Sequence, residues 1–373
     1  LKIAVENKCS DYNSYRAARV KSLFNVESGC NFSLSAELPI DDDDWKVGLI
    51  VGPSGSGKTS LGKKIFPECG ITGLSDGWAE GDPIIDSIAP GKSFDDVTAA
   101  LASVGLGSVP SWLRPFKVLS NGEQFRAGLA RLICDAPQRA VIDEFTSVVD
   151  RQIARVGALA FQKAWRRTSG KAVLLSCHYD IIDWLEPDWV FDTASGKYSG
   201  RGLWRRPKID VDILETDSSY WEIFEPHHYL KLPKMVAATY YVAFVDGAPV
   251  GHIATAPRLE IGAMRACRMV IMPEWQGAGI GVRFLDEVCR MQLEGKNRWG
   301  RRCPTYFHTS HPGLCAALRR SKRWSQVSAV MFGGNKKKSA QSISKSSRGA
   351  INAGYGGHFR AVQGFKYIGE KPC

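Results

Sequence analysis

The chain has 373 residues, 44% hydrophobic and 23% charged, which is more than one ordinary core holds and is the balance of a soluble globular protein with two domains. No apolar run reaches the roughly 18 residues of a membrane-spanning helix. Residues 1–10 do not read as a signal peptide, and ten cysteines without a CxxC pair or Cys/His cluster point to reduced thiols and no structural metal, so a cytoplasmic protein is expected. The formal charge of +11 lies entirely in one part: residues 1–211 hold 26 Lys and Arg against 26 Asp and Glu, whereas residues 212–373 hold 23 against 12. A basic domain beside a neutral one points to a polyanionic partner, most often nucleic acid.

In chain order, the first informative element is a short apolar strand over 47–51, followed by GPSGSGKT at 52–59 and a helical pattern from Ser60. Strand, glycine-rich loop and helix form the setting of a phosphate cradle. Gly52, Ser54, Gly55, Gly57 and Ser60 line it, Lys58 reaches the outer phosphates, and Thr59 holds the magnesium of a bound ATP. Downstream, AVIDEFTSVVD at 140–150 is an apolar strand ending in adjacent carboxylates. Asp143 suits magnesium binding through water, and Glu144 suits polarisation of the attacking water. An acidic turn after a strand is common, but its order after the glycine loop makes this pair an ATP-hydrolysing site.

Between these elements lies LSNGEQFRAGLARLI at 119–133. Ser120, Asn121, Gly122, Glu123 and Gln124 resemble the LSGGQ signature of ABC-type ATPases. That resemblance implies that Ser120, Gly122 and Glu123 of one copy contact ATP held by another, and hence a homodimer. It also implies a D-loop at 147–150 and a γ-phosphate-sensing His178 after the strand at 172–176. The likeness covers about residues 1–205 and is nearer to soluble ABC ATPases of the UvrA and SMC kind, which act on DNA. One element departs: no Gln occurs from Ser60 to Glu123, where the family carries its Q-loop glutamine, and Glu80 or Asp76 stands in the region.

Residues 197–210 are rich in Gly, Arg and Pro and place a boundary near 208, giving domains 1–208 and 209–373. Beyond it, residues 240–255 read as two strands joined at Asp246-Gly247, a favoured hairpin dipeptide. A strand over 266–272 then leads through PEWQGAGIG into an amphipathic helix over 282–293. A glycine loop opening a helix after a strand is again a phosphate cradle. QGAGIG resembles the QxxGxG/A motif of GNAT acyltransferases. By that resemblance Gln276, Gly277, Ala278, Gly279, Ile280 and Gly281 hold the pyrophosphate of acyl-CoA, with acetyl-CoA as the expected donor. Met269, Val270 and Ile271 align its thioester. The expected fold is therefore α/β, an ABC-type P-loop NTPase domain followed by an α+β GNAT-like domain.

The tyrosine acid of many GNAT enzymes has no counterpart near Arg319 to Ser321. The strand TYFHTSHP instead gathers Tyr306, His308 and Ser310 on one face, with His308 and Tyr306 as candidates for proton transfer. The same residues also read as an ordinary strand with a polar end. The segment KKKSAQSISKSSR, with Lys336, Lys337, Lys338, Lys345 and Arg348, reads as a loop that clamps a phosphate backbone, aided by Arg298, Arg301, Arg302, Arg319, Arg320, Lys322 and Arg323. Trp299, Trp324 and Tyr355 are candidates for stacking on bases. Fold type and charge are also broadly similar to phage Mom-type proteins, which modify the adenine amine in DNA. Two alternatives stay open: acyl transfer to a small amine or protein with ATP as regulator, and an ABC-type nucleic-acid reader without acyl transfer.

Overall fold

The computed structural model describes residues 1–8, 14–24, 31–40, 44–200, 202, 207–229, 235, 237–330 and 361–370. The chain divides into two compact units. The first comprises Leu1–Trp78 and Asp135–Arg206; the second comprises Ala79–Cys134 and Pro207–Cys373. The division after Arg206 lies close to the boundary expected from composition, but the inserted segment Ala79–Cys134 groups with the C-terminal part.

The first segment contains β1 (Lys2–Lys8), α1 (Tyr15–Phe24), β2 (Asn31–Glu37), β3 (Val47–Val51) and α2 (Lys58–Ile65). The inserted arm is helical: α3 (Ile84–Ser87), α4 (Phe94–Ser103), α5 (Val109–Trp112) and α6 (Asn121–Asp135). The chain then forms β4 (Arg139–Ile142), α7 (Arg151–Trp165), β5 (Lys171–Ser176), α8 (Ile182–Leu185), β6 (Trp189–Asp192) and β7 (Lys197–Ser199). The remainder contributes β8 (Asp212–Thr216), α9 (Trp221–Phe224), β9 (Thr239–Val245), β10 (Ala248–Arg258), β11 (Ala263–Ile271), α10 (Ile280–Glu294), β12 (Thr305–Thr309), α11 (Pro312–Arg320), β13 (Trp324–Val330) and β14 (Val362–Tyr367).

In the first unit the sheet runs β4-β5-β3-β6-β7, parallel except for β7. Every residue of β3 is buried, which is why VGLIV is continuously apolar instead of alternating: a central parallel strand is covered on both faces. Gly48 is required because the Trp189 indole passes 2.1 Å from where its Cβ would stand. The antiparallel pair β1 and β2 packs Ile3, Val5 and Ala36 onto the cluster that also contains Ile50, Leu61 and Ile65. The loop after β3 therefore opens at the carboxyl ends of the parallel strands, where α/β sheets bind ligands.

In the second unit seven strands form one sheet in the order β13-β14-β12-β11-β10-β9-β8. β9 and β10 are joined by Asp246 and Gly247 at φ 50° and 78°, the paired positive values of a tight hairpin turn that this dipeptide tolerates. The parallel pairing of β11 with β12 extends only from Met264 opposite Thr305 to Ala266 opposite Phe307, so the strands part beyond that point. A register shift between His252 and Ala254 marks a bulge in β11, where Arg268 takes φ 52°. On one face, Ile280, Phe284, Leu285, Val288 and Cys289 of α10 pack into the cluster with Phe307 and Phe365. Trp221 and Phe224 cluster with Val242 and Val270.

His252 on β10 is fully buried among the rings of Trp221, Phe224 and Tyr240, at centroid distances of 5.1, 5.4 and 5.8 Å. Its Nδ1 donates to the Arg268 carbonyl at 3.0 Å, while Nε2 has no partner among the described residues. Burial first, and then the positive charges of Arg268 and His228, hold its pKa at about 4 despite the hydrogen bond to the carbonyl. Between that value and the ordinary 6.5 the unfolded chain binds the extra proton, so stability is full above 6.5 and falls as the pH drops towards 4. The expected loss is on the order of 3 kcal/mol, at about 1.4 kcal/mol per pKa unit. Thermal melting of His252→Phe should show a flatter dependence on pH across this window than the wild type; an unchanged dependence would assign the effect elsewhere.

Candidate ATP site and a second phosphate cradle

The loop at 52–57 owes its shape to three glycines in the left-handed range, Gly52 at φ 152°, Gly55 at 77° and Gly57 at 85°. At Gly52 a Cβ would lie 2.0 Å from the Thr193 hydroxyl, so glycine is required there by contact as well. Thr193, just past β6, braces the loop: its Oγ1 lies 2.6 Å from Ser56 Oγ and donates to the Val51 carbonyl at 3.0 Å. Neither Ser56 nor Thr193 was singled out in the sequence, because the contact spans 137 positions. Ser54 and Gly55 are exposed along the loop. Lys58 Nζ donates to the carbonyls of Gly52 and Pro53, 2.8 Å each, and so lies across the loop.

Thr59, in the first turn of α2 with Ser60, donates its hydroxyl to Asp143 Oδ2 at 2.8 Å. Asp143 follows β4 and also accepts the Glu144 N–H at 2.8 Å. The two candidate magnesium residues are thus already in contact. Glu144 is exposed and held at φ 51°, with Thr146 at 70°, two non-glycine residues in a conformation that costs free energy and recurs at functional sites. His178 follows β5, and its N–H donates to Ser176 Oγ at 3.1 Å. Burial, and secondarily Arg151, lower its pKa against the opposing charge of Asp180, so the imidazole is neutral at pH 7. Arg151 and Arg155 both pair with Asp180, a network the sequence did not reveal.

These residues fit ATP with magnesium: glycine N–H groups and the start of α2 for phosphates, Lys58 for charge, Thr59 and Asp143 for the ion, which would supply charge neutralisation at the phosphates. Of the two Q-loop substitutes, Asp76 accepts the Gly73 N–H at 2.6 Å and Glu80 pairs with Lys117.

The signature segment belongs to the second unit. Ser120 and Glu123 form a capping box at the start of α6: Glu123 Oε2 accepts from the Ser120 N–H at 2.9 Å and hydroxyl at 2.8 Å, and the Glu123 N–H reaches Ser120 Oγ at 3.4 Å. Burial raises the Glu123 pKa, but hydrogen bonds from Ser111 and Ser120 and the charge of Arg114 prevail and leave it below the usual carboxylate range. Ser120 and Asn121 are exposed at this helix start, and Gly122 is half-buried.

Within the same unit, the arm meets the second glycine loop. Gly107 N–H donates to Gln276 Oε1 at 3.2 Å, and Gln276 Nε2 donates to the Ile271 carbonyl at 2.9 Å. Gly105, at φ 81°, lies so close that a Cβ would stand 2.1 Å from the Gln276 carbonyl oxygen. Buried Arg126 of α6 donates to the Gly105 carbonyl at 2.5 Å; burial pushes its pKa down to about 10, opposed by Glu274 and Glu123. His311 Nε2 donates to the Gly107 carbonyl at 3.2 Å, while its Nδ1 accepts the Leu314 N–H that starts α11. Both ring nitrogens are engaged, so His311 positions the arm and is unsuited to proton transfer.

A cavity of about 1040 Å³ opens here, lined by Gly105 and Gly107 of the arm and by Met269, Val270, Ile271, Gln276, Gly277, Gly279, Ile280 and Gly281. Gly277 and Gly279 take φ 96° and 84°. One expectation is corrected: the N–H groups of Gln276 and Ala278 bond back to Pro273 and Trp275 at 3.3 and 3.2 Å, and Ala278 packs into the core. Those of Gly277, Gly279 and the first turn of the 15-residue α10 remain for a phosphate, and no side chain caps that helix. This cradle fits a diphosphate-bearing ligand through fewer donors than the motif suggested.

Tyr306 and His308 alternate on β12, but only His308 lines the cavity; Tyr306 lies beneath Arg258, 5.6 Å from guanidinium to ring centre. His308 Nδ1 and Ser310 Oγ are buried and without partners among the described residues. Burial, followed by the charges of Arg265 and Arg258, holds the His308 pKa at about 4. Lys336, Lys337, Lys338, Lys345 and Arg348, with Tyr355, lie outside the described residues. The wider basic clamp is corrected in part: Trp324 is buried with Nε1 bonded to Asp286 and so cannot stack on a base, and the exposed Arg323 already pairs with Asp286 and Glu370. Among the described residues, no helix is long and apolar enough to cross a membrane, and no group of three or more His, Cys, Asp or Glu forms a metal site.

No protein-family model matches the chain. It is 35% identical over 174 residues to the zinc import ATP-binding protein ZnuC of Jannaschia sp. (strain CCS1), covering 41% of this chain and 70% of that protein. It is 30% identical over 161 residues to the cytochrome c biogenesis ATP-binding export protein CcmA of Rhodospirillum rubrum, covering 36% and 68%. Among solved structures, a dimeric post-hydrolysis state of the ATP-binding cassette MJ0796 bound to ADP and Pi matches 54% of this chain and 100% of its own, at 12% identity and TM-score 0.38.

Proposed function

The chain belongs to the family of ABC ATP-binding cassettes, and from that premise we propose that it spends ATP to control a group transfer carried out in the cavity of its second unit. The transfer is of the GNAT type, moving the acyl group of acyl-CoA, with acetyl-CoA as donor, to an amine on nucleic acid. The amine nitrogen attacks the thioester carbonyl carbon, a C–N bond forms, the C–S bond breaks, the amine loses a proton, and CoA leaves as the thiol. Met269 to Ile271 and the loop around Gly277 and Gly279 hold the donor. His308, on the cavity wall and neutral at pH 7, is the candidate to receive the amine proton, with a low pKa that makes it a weak base.

One observation carries this reading. The arm that bears Ser120 and Gly122 is part of the same compact unit as the second cradle, and Gln276 ties the Gly107 N–H to the end of β11. In the proposed homodimer, Ser120 and Gly122 of one copy complete the ATP site of the other, so ATP acts on the element that walls the transfer cavity. The excess of basic residues after 211 supports a polyanionic acceptor.

The test uses the full chain with ATP, magnesium and labelled acetyl-CoA against DNA and tRNA, beside mass spectrometry of nucleosides from cells carrying the wild type or Lys58→Ala. A nucleoside adduct that disappears with Lys58→Ala is the expected result. Unlabelled DNA and tRNA, together with an ATPase rate that neither acetyl-CoA nor nucleic acid changes, would overturn the reading. An adduct that persists in Lys58→Ala would separate the transfer from ATP turnover.

A further inference from the structure

The cavity of the second unit has a charge pattern that the donor cradle does not explain. Among its described lining residues are Arg258, Arg265 and Arg268 together with His308, and there is no Asp or Glu. Arg258 ends β10 and Arg265 lies on β11, paired with Ala256, so the two side chains come from neighbouring strands two residue pairs apart. Arg265 is in turn opposite Tyr306 at the start of β12, two residues before His308. Neither Arg258 nor Arg265 forms an ion pair with a carboxylate among the described residues, whereas Arg290 and Arg323 in the same unit each hold two. His308 lines the same cavity, and its buried Nδ1 has no partner among the described residues. Two forked cations without a carboxylate partner among the described residues, beside the unfilled ring nitrogen of His308, form a receptor for an anion with several oxygen acceptors.

The position on β11 separates this receptor from the cradle. Arg265 lies four residues before Met269, about 13 Å along a strand at roughly 3.3 Å per residue. We propose that Arg258 and Arg265, with His308 beside them, bind a backbone phosphate of the acceptor strand and so bring its amine to the donor thioester. This deepens, and rests on, the reading of the cavity as a nucleic-acid acyltransferase site. A phosphate group is also present in the donor, and the experiment distinguishes the two sources.

The full chain is titrated into a fluorescently labelled single-stranded oligonucleotide in the presence of CoA, with anisotropy read across a series of salt concentrations. Arg258→Gln and Arg265→Gln are each expected to weaken binding on the order of tenfold at low salt, and to reduce the log–log salt slope by about 0.7 per contact removed. Acetyl-CoA affinity, measured by calorimetry on the same samples, should stay within about twofold. Arg265→Lys, which keeps the charge and loses the fork, should restore the slope but not the full affinity. Melting temperatures within a few degrees of wild type establish that each variant is folded. Unchanged oligonucleotide affinity and slope in both Gln variants would overturn the proposal while leaving the nucleic-acid reading in place. Loss of acetyl-CoA affinity instead would assign the arginines to the donor. A wild-type protein that binds no oligonucleotide would overturn this proposal and the nucleic-acid reading together.

Discussion

Glu144→Gln is expected to lower the turnover of ATP about 10²–10⁴-fold, the usual range for loss of a positioned base, while ATP affinity changes little. The reason is the division of labour at the end of β4. Both carboxylate oxygens of Asp143 are engaged, one by Thr59 Oγ1 and the other by the Glu144 N–H, so Asp143 is placed to hold an ion in concert with Thr59. The Glu144 carboxylate is exposed, has no partner among the described residues, and is presented by a left-handed backbone at φ 51°. Replacing it by the isosteric amide removes the base and leaves that backbone and the Asp143 contact intact. Lys58→Ala should instead lose nucleotide affinity as well, because its ammonium is the charge held across the loop. Phosphate release and titration with a fluorescent ATP analogue separate the two outcomes. If two copies share each ATP, Glu144→Gln should also accumulate as an ATP-dependent dimer in light scattering. Wild-type turnover by Glu144→Gln would move the role to neutral His178.

What could be read in the sequence was the chemistry written into contiguous backbone. The strand 47–51, the glycine loop and Lys58 are found where they were expected because positive φ and a helix start are local properties. The hairpin at Asp246-Gly247 follows for the same reason. The unit to which the signature belongs was not legible in this way. Gly107 and Gln276 are 169 positions apart, and nothing local in the sequence names the backbone that Gly105 approaches. Alternation along β12 correctly put Tyr306 and His308 on one side, yet strand period says nothing of where a cavity ends. Charge counting found a basic domain but not which cations are neutralised: Arg323 pairs with Asp286 and Glu370, while Arg258 and Arg265 form no ion pair among the described residues and line the cavity.

Gly105→Ala is expected to disconnect the arm from the second cradle. Two costs add at this residue. An alanine held at φ 81° pays roughly 1–2 kcal/mol for the left-handed conformation. Its Cβ would also fall 2.1 Å from the Gln276 carbonyl oxygen, 2.4 Å from its carbon and 2.8 Å from the Gly277 nitrogen, all main-chain atoms that no rotamer change can move. Relief requires the arm and the loop to separate, which breaks the Gly107–Gln276 bond and disturbs the carbonyl that buried Arg126 needs. A total of about 2–5 kcal/mol follows from strain and overpacking together, lowering the melting temperature by several degrees. The informative readout is coupling. ATP binding uses Lys58 and Thr59, which are untouched, so nucleotide affinity should persist while any effect of acetyl-CoA on the ATPase rate disappears. Gln276→Ala provides the milder comparison, since it removes the bridge between Gly107 and Ile271 without forcing the backbones apart. Because coupling free energy between two ligands is reciprocal, the same two variants should abolish any effect of a non-hydrolysed ATP analogue on acetyl-CoA affinity. A Gly105→Ala protein that melts lower yet keeps both responses would show that the arm supports the cradle without transmitting the state of the ATP site.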